Sequence, residues 1–207
     1  MRYQICVSGA ASGETVRGAR KLAFDLGRAI AEQGKTLTTG ATVGLPMYAA
    51  AGFKSVKGAK GVSIGFSPAA SFREHVAVYR LPTLEFDYIN FTGMAYVGRD
   101  VHLVRSSDAV ITVGGRMGSL HEFSTALESR KVCGVLLGSG GLADYVQELL
   151  NNVEAPNKEN VVYGHNPEEL VREVVKKLDE NYKEFMDKHG EILLSDGQVS
   201  ERRAGNG

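Results

Sequence analysis

Neither a net charge nor a supply of cysteines is available to this chain, and each shortage closes off a class of function. Across 207 residues, 24 basic and 24 acidic side chains cancel. No overall attraction to nucleic acid or an anionic membrane follows, so any anion has to be held by local groups. The two cysteines, Cys6 and Cys133, sit inside the apolar runs "ICV" and "VCGVLL". They read as small buried hydrophobes rather than a disulfide or ligand pair, in keeping with a reducing compartment. No apolar run approaches the roughly 18 residues that span a bilayer, and the opening "MRYQICVSG" is too polar and too short for a secretory signal. The expectation is a cytoplasmic protein with no membrane partner. The five histidines never cluster, and "HEFST" lacks the second histidine of H-E-x-x-H, so no metal is expected. G-K-[ST] is missing too, which argues against a Walker-type NTPase. Pyridoxal phosphate chemistry needs a positioned lysine, whereas Lys21, Lys35, Lys54, Lys57, Lys60 and Lys131 fall on predicted helix faces or outer turns. No cofactor is expected.

Short β-branched runs alternate with longer segments of helical spacing, the pattern of an α/β domain with a mainly parallel sheet flanked by helices, a Rossmann-like three-layer arrangement. The strands are "YQICVSG", "KTLTTG", "GVSIGFS", "AVITV", "VCGVLLG" and "ENVVYGH". Glu14 to Gln33 carries Val16, Ala19, Leu22, Ala23, Leu26, Ala29 and Ile30 at intervals of three and four, one apolar helical face. Further helices are expected in "ATVGLPMYAAAGFKSVKG", from Gly93 to Ser106, after Ser119, and from Leu142 to Leu150. Asn166, Pro167 and Glu169 supply a cap, a proline in the first turn and a capping acid for a long helix through Lys188. Its stripe is Leu170, Val171, Val174, Val175, Leu178, Tyr182, Phe185 and Met186. Between residues 68 and 92, "HVAVYRL" and "LEFDYINF" suggest extra strands or an ordered flap. One domain is expected over residues 1–190, with a tail over 191–207 that ends in the frayed "SERRAGNG".

Ligands of such sheets bind beyond the carboxyl ends of the strands. Three of those ends are rich in glycine and hydroxyls: "VSGAASG", "TTGATVG" and "VGGRMGS". Glycine lets the backbone approach a ligand, and a helix N-terminus adds partial positive charge, so each turn suits an anion. Three together point to phosphate and something attached to it. Glu122 has two uses on spacing alone. With Ser119 it fits the S-x-x-E capping box, the commoner role; the other role is that of a carboxylate beside a bound ligand. His121 reads as a surface or supporting residue. Arg99 and Arg105, six apart on one helix, do not share a face, so one is free to point to the strand ends.

From about Ile5 to Leu150 the chain resembles the LOG family, phosphoribohydrolases once mislabelled as lysine decarboxylases, within a wider group that includes molybdenum cofactor carrier proteins. The resemblance is carried by "CVSGAASG", by "LGRAIAEQGKTLTTGATVGLPMYAAA", by Arg99 ahead of "RSSDA", and by "VGGRMGSLHE", which is similar to the family hallmark P-G-G-x-G-T-x-x-E. Val113 replaces its proline, Ser119 its threonine, one residue is added between Gly115 and Gly118, and Asp100 stands where lysine is usual. The resemblance implies hydrolysis of the N-glycosidic bond of a purine nucleoside 5′-monophosphate, with Glu122 acting near the anomeric carbon and Arg99 orienting Glu122 or substrate. The binding set is Ser8, Gly9, Gly40, Thr42, Gly44, Gly114, Gly115, Arg116, Met117, Gly118 and Ser119. A carrier or sensor of a phosphate-bearing ligand is the alternative. The resemblance also implies a dimer or higher homo-oligomer, for which "PMYAAAGF" and "FDYINF" offer surface.

Overall fold

Seven short runs of β-branched and small residues pair side by side, every pair parallel, and helices return the chain across the two faces. In this computed structural model residues 3–193 are described, with side chains to residue 188. The elements run β1 (Gln4–Gly9), α1 (Glu14–Glu32), β2 (Thr36–Thr39), α2 (Leu45–Lys54), β3 (Ser63–Ser67), α3 (Phe72–Ala77) and β4 (Tyr88–Phe91). They continue with α4 (Ala95–Ser106), β5 (Ala109–Val113), α5 (Met117–Glu128), β6 (Val132–Leu136), α6 (Leu142–Asn152), β7 (Val161–Gly164) and α7 (Pro167–Leu193). Among the described residues the sheet order is β4-β3-β2-β1-β5-β6-β7, the expected Rossmann-like α/β fold. No helix among them is long and apolar enough to cross a membrane.

The period of two along each strand splits the core. Ile5, Val7, Ile111, Val113 and Leu136 meet α1, α2 and α7 on one face. Cys6, Val110, Cys133 and Val135 meet Leu103 of α4, Phe123 of α5 and Val146 of α6 on the other. The same alternation puts Ser8, two residues after Cys6, on the α4–α5 side. Both cysteines are buried and unbridged.

Small residues let α1 and α2 touch at backbone distance: a Cβ at Gly27 would lie 1.8 Å from Ala49 O, and one at Gly52 1.9 Å from Phe24 O. Leu45, Pro46, Ala49, Ala50, Gly52 and Phe53 are all buried. The "PMYAAAGF" face expected to serve an oligomer is therefore used inside the chain. Tyr88, in the edge strand that "FDYINF" forms, is exposed.

The segment from 68 to 92 holds one strand, β4, and one helix. "HVAVYRL" is not a strand. Ser71 Oγ accepts from Glu74 N (3.2 Å) while Glu74 Oε2 accepts from Ala70 N (2.8 Å), a reciprocal cap that starts α3. The turn after it is pinned by His75, which is fully buried. Its Nε2 lies 2.9 Å from Pro82 O and its Nδ1 2.8 Å from Ser67 Oγ. A carbonyl only accepts, so Nε2 carries the hydrogen and the serine donates to Nδ1. His75→Ala is expected to cost about 3 kcal/mol, from the cavity and the orphaned Pro82 carbonyl, read as a lower urea midpoint.

Asn166 caps α7 as expected, its Oδ1 accepting from Glu168 N (2.9 Å) and Glu169 N (3.1 Å). Leu170 through Leu178 of the stripe are buried, whereas Tyr182 and Phe185 are exposed because α7 continues past the core. The helix also runs beyond the boundary expected at residue 190. The remainder of the expected tail, residues 194–207 with "SERRAGNG", lies outside the described residues.

Candidate functional site

Strand order reverses direction about β1, which pairs with β2 on one side and β5 on the other. Crevices form beyond the carboxyl ends at such switch points, because the loops leaving the two neighbouring strands go to opposite faces. A cavity of about 310 Å³ opens there, within the range of small-ligand sites. Of the residues expected at a site, Ser8, Gly9, Gly40, Thr42, Arg99, Arg116, Met117, Gly118, Ser119 and Glu122 line it together.

Three expected residues do not line it. Gly44, at φ +80°, precedes α2, and a Cβ there would lie 2.5 Å from Ala10 O and Ala11 O. With Leu45 N donating to Ala10 O (2.9 Å), its part is to seat the first loop. Gly114 N donates to Ser139 Oγ (2.7 Å). The Gly114 and Gly115 carbonyls accept from Ala143 N (2.9 Å) and Leu142 N (3.1 Å). These two glycines, both at positive φ, turn inward to cap α6, while Gly118 and Ser119 face the cavity.

Helix α5 begins at Met117, three residues earlier than the expected start, with Arg116 as its N-cap residue. Ser119 is thus inside the first turn, and Glu122 is a turn further in. The carboxylate of Glu122 does not cap: it is buried and accepts a short hydrogen bond from Ser8 Oγ on β1. Arg116 reaches across the mouth, Nη1 donating to Ser12 Oγ (3.1 Å).

Helix α4 brings Arg99 and Asp100 to the floor, at 5% and 6% exposed, while Arg105 faces outward. Arg99 Nε lies 3.3 Å from Asp100 Oδ1. That ion pair lacks hydrogen-bond geometry, and Arg99 Nε and Nη1 have no hydrogen-bond partner. A buried guanidinium with bare N–H groups in a cavity is suited to a planar or tetrahedral oxyanion. Gly40 makes room for it, since a Cβ there would lie 1.6 Å from Arg99 Nη1. The Tyr96 ring, 6.0 Å from the guanidinium carbon, flanks it at the rim. His121 Nδ1 lies 3.2 Å from Asp100 Oδ2, the supporting position expected of it.

Burial pushes the Glu122 carboxyl up to about 7; Arg99 opposes this, the Asp100 charge and hydrogen bond add to it, and the Ser8 hydrogen bond opposes it. Between the ordinary value, 4.5, and about 7 the folded protein holds a proton that the unfolded chain has released. Stability therefore falls as pH rises through that window, by on the order of 3 kcal/mol from this group. Urea unfolding at about pH 5 and about pH 8 is expected to show the fall, and Glu122→Gln to remove it.

Asp100, Tyr96, Ser12 and Ser139 were not among the expected site residues. Asp100 did carry a signal, as an acid next to an arginine where the related motif has lysine. Ser139 carried none, because its partner Gly114 is distant in sequence. Among the described residues no group of three His, Cys, Asp or Glu side chains is placed to hold a metal.

The fold recurs in solved structures. The structural-genomics target TM1055 superposes with a TM-score of 0.72 at 22% identity, over 85% of this chain and 99% of that one. The molybdenum cofactor binding protein of the phototrophic bacterium Rippkaea orientalis gives 0.66 at 28% identity, over 86% and 98%. The molybdenum cofactor carrier protein of Chlamydomonas reinhardtii gives 0.66 at 23%, over 86% and 99%. A search of curated proteins finds no match. These likenesses bear out the kinship to LOG-like and carrier-like Rossmann proteins read from the hallmark turn. The SLOG cluster4 model matches residues 2–171, and the chain belongs to the SLOG cluster4 family.

Proposed function

We propose that the crevice binds a nucleoside 5′-monophosphate, a purine nucleotide such as AMP, and that the protein hydrolyses its N-glycosidic bond to free base and ribose 5-phosphate. The observation that carries this reading is the buried pair of a carboxyl, Glu122, and a guanidinium with unpartnered nitrogens, Arg99, lining one cavity. Breaking a glycosidic bond builds positive charge on the sugar and needs a carboxyl group near C1′ to stabilise it and handle protons. The phosphate is held at the N-terminal turn of α5, by the Gly118 and Ser119 amides, with Arg99 as the counter-charge. A cavity of about 310 Å³ suits one nucleotide rather than two. Incubation of the purified protein with AMP, with free adenine followed by chromatography, tests the reading: adenine and ribose 5-phosphate are expected in equal amounts, and intact AMP would refute it.

One observation favours a second reading, a carrier that holds a phosphate-bearing ligand without turning it over. The Gly114 amide is already occupied by Ser139, so the lengthened turn presents fewer free donors than its glycines suggest. The 28%-identical neighbour is a molybdenum cofactor binding protein. Tight calorimetric binding of a pterin phosphate with no product from AMP would select this reading.

A further inference from the structure

We infer that Tyr96 is the stacking platform for the nucleobase, held in place by the connection between β3 and β4; the inference rests on the nucleotide reading proposed above and names the group that holds the base. Tyr96 is the single aromatic among the described residues that line the cavity. It is 46% exposed and belongs to neither half of the core, so packing does not account for its placement. The backbone leading to it is held in an unfavourable shape. Ala95, the first residue of α4, sits at φ +52°, a region that residues with a side chain rarely adopt and that persists only where neighbours enforce it. The end of β3 and the turn after it do so: Thr92 Oγ1 donates to Ser67 O (2.7 Å), Gly93 N to Ala69 O (2.9 Å) and Ala95 N to Pro68 O (3.1 Å).

The same connection steadies the ring. Tyr79, in the turn that buried His75 pins through Pro82 O, meets Tyr96 with 5.6 Å between ring centroids and 81° between planes. Such a T-shaped contact fixes the orientation of a ring, and the exposure of Tyr96 shows that much of it stays open. A ring already fixed loses little freedom when a base stacks on it. The guanidinium carbon of Arg99 lies 6.0 Å from the Tyr96 centroid. A ligand whose phosphate meets Arg99 therefore carries its base, one ribose away, within reach of the ring. Stacking needs a flat π-face, which the aliphatic lining groups Val7 and Pro46 do not offer. A purine covers more of that face than a pyrimidine, and stacking tolerates different ring substituents, so adenine and guanine are held alike.

Calorimetry of the full chain in the Glu122→Gln background, where turnover does not consume the ligand, compares AMP, GMP, UMP and ribose 5-phosphate. With Tyr96 in place, AMP and GMP are expected to bind alike, UMP more weakly and ribose 5-phosphate most weakly. Tyr96→Ala is expected to weaken AMP binding about 10- to 100-fold and to leave ribose 5-phosphate unchanged, while Tyr96→Phe keeps the affinity for AMP. Tyr79→Ala, which frees the ring without removing it, is expected to weaken AMP binding about 3-fold, again sparing ribose 5-phosphate. Equal losses on both ligands in Tyr96→Ala mark a structural role and overturn the platform. The chain has no tryptophan, so Tyr96→Trp supplies a single fluorophore at the platform. AMP is expected to quench it and ribose 5-phosphate to leave it unchanged, a readout that serves even if Tyr96→Ala does not fold. Ribose 5-phosphate bound as tightly as AMP, or AMP bound equally by Tyr96→Ala, overturns the platform and leaves the phosphate site standing. Binding of neither ligand by the wild type overturns the nucleotide reading itself, and the platform with it.

Discussion

Glu122→Gln is expected to lower the release of base from AMP by about 100- to 1,000-fold while leaving AMP affinity nearly unchanged. The substitution keeps volume and shape, and the amide oxygen still accepts from Ser8 Oγ. What it removes is a titrating proton and a negative charge at the position assigned to C1′. Affinity is set elsewhere, by Arg99 and the N-terminal turn of α5, so binding and turnover separate in this variant. The variant also gains relative stability at high pH, because the wild type must ionise a buried carboxyl there. A protein that loses activity and gains stability by one isosteric change carries a group placed for chemistry rather than for packing. Unchanged turnover in Glu122→Gln would remove Glu122 from the mechanism.

Gly40→Ala is expected to mimic Arg99→Ala, although it leaves every charge in place. The added Cβ would fall 1.6 Å from Arg99 Nη1, so the guanidinium has to leave the floor. The displaced group has the cavity itself to enter. Losing one charged contact to the phosphate costs about 2 kcal/mol, or roughly 30-fold in dissociation constant. Calorimetry with AMP and with ribose 5-phosphate reads the loss on both ligands equally, because both carry the phosphate. A Gly40→Ala protein that binds AMP like the wild type would show that Arg99 is not the counter-charge.

Two stretches with the same spacing show what the sequence disclosed and what it hid. Ser71 and Glu74 obey S-x-x-E and cap α3, the acid accepting from Ala70 N, yet the apolar "HVAVYRL" beside them reads as a strand or an ordered flap. Ser119 and Glu122 obey the same spacing and form no cap, because the helix had already begun at Met117. Local pattern is silent on which case applies, since the deciding partner of Glu122 is Ser8, 114 residues away. Strands buried on both faces were legible as β-branched runs. The crevice was legible because glycines gather at the strand ends that meet there. The inward turn of Gly114 and Gly115 was not, since their partners come from the loop after β6 and the start of α6. The small residues of α2 signal close approach, and a backbone that approaches them is that of α1 in the same chain.

The most direct test is a crystal structure of Glu122→Gln grown with AMP. The phosphate is expected at the Gly118 and Ser119 amides within hydrogen-bond reach of Arg99, with C1′ beside residue 122. An empty crevice, or AMP bound away from the ends of β1 and β5, would contradict the account.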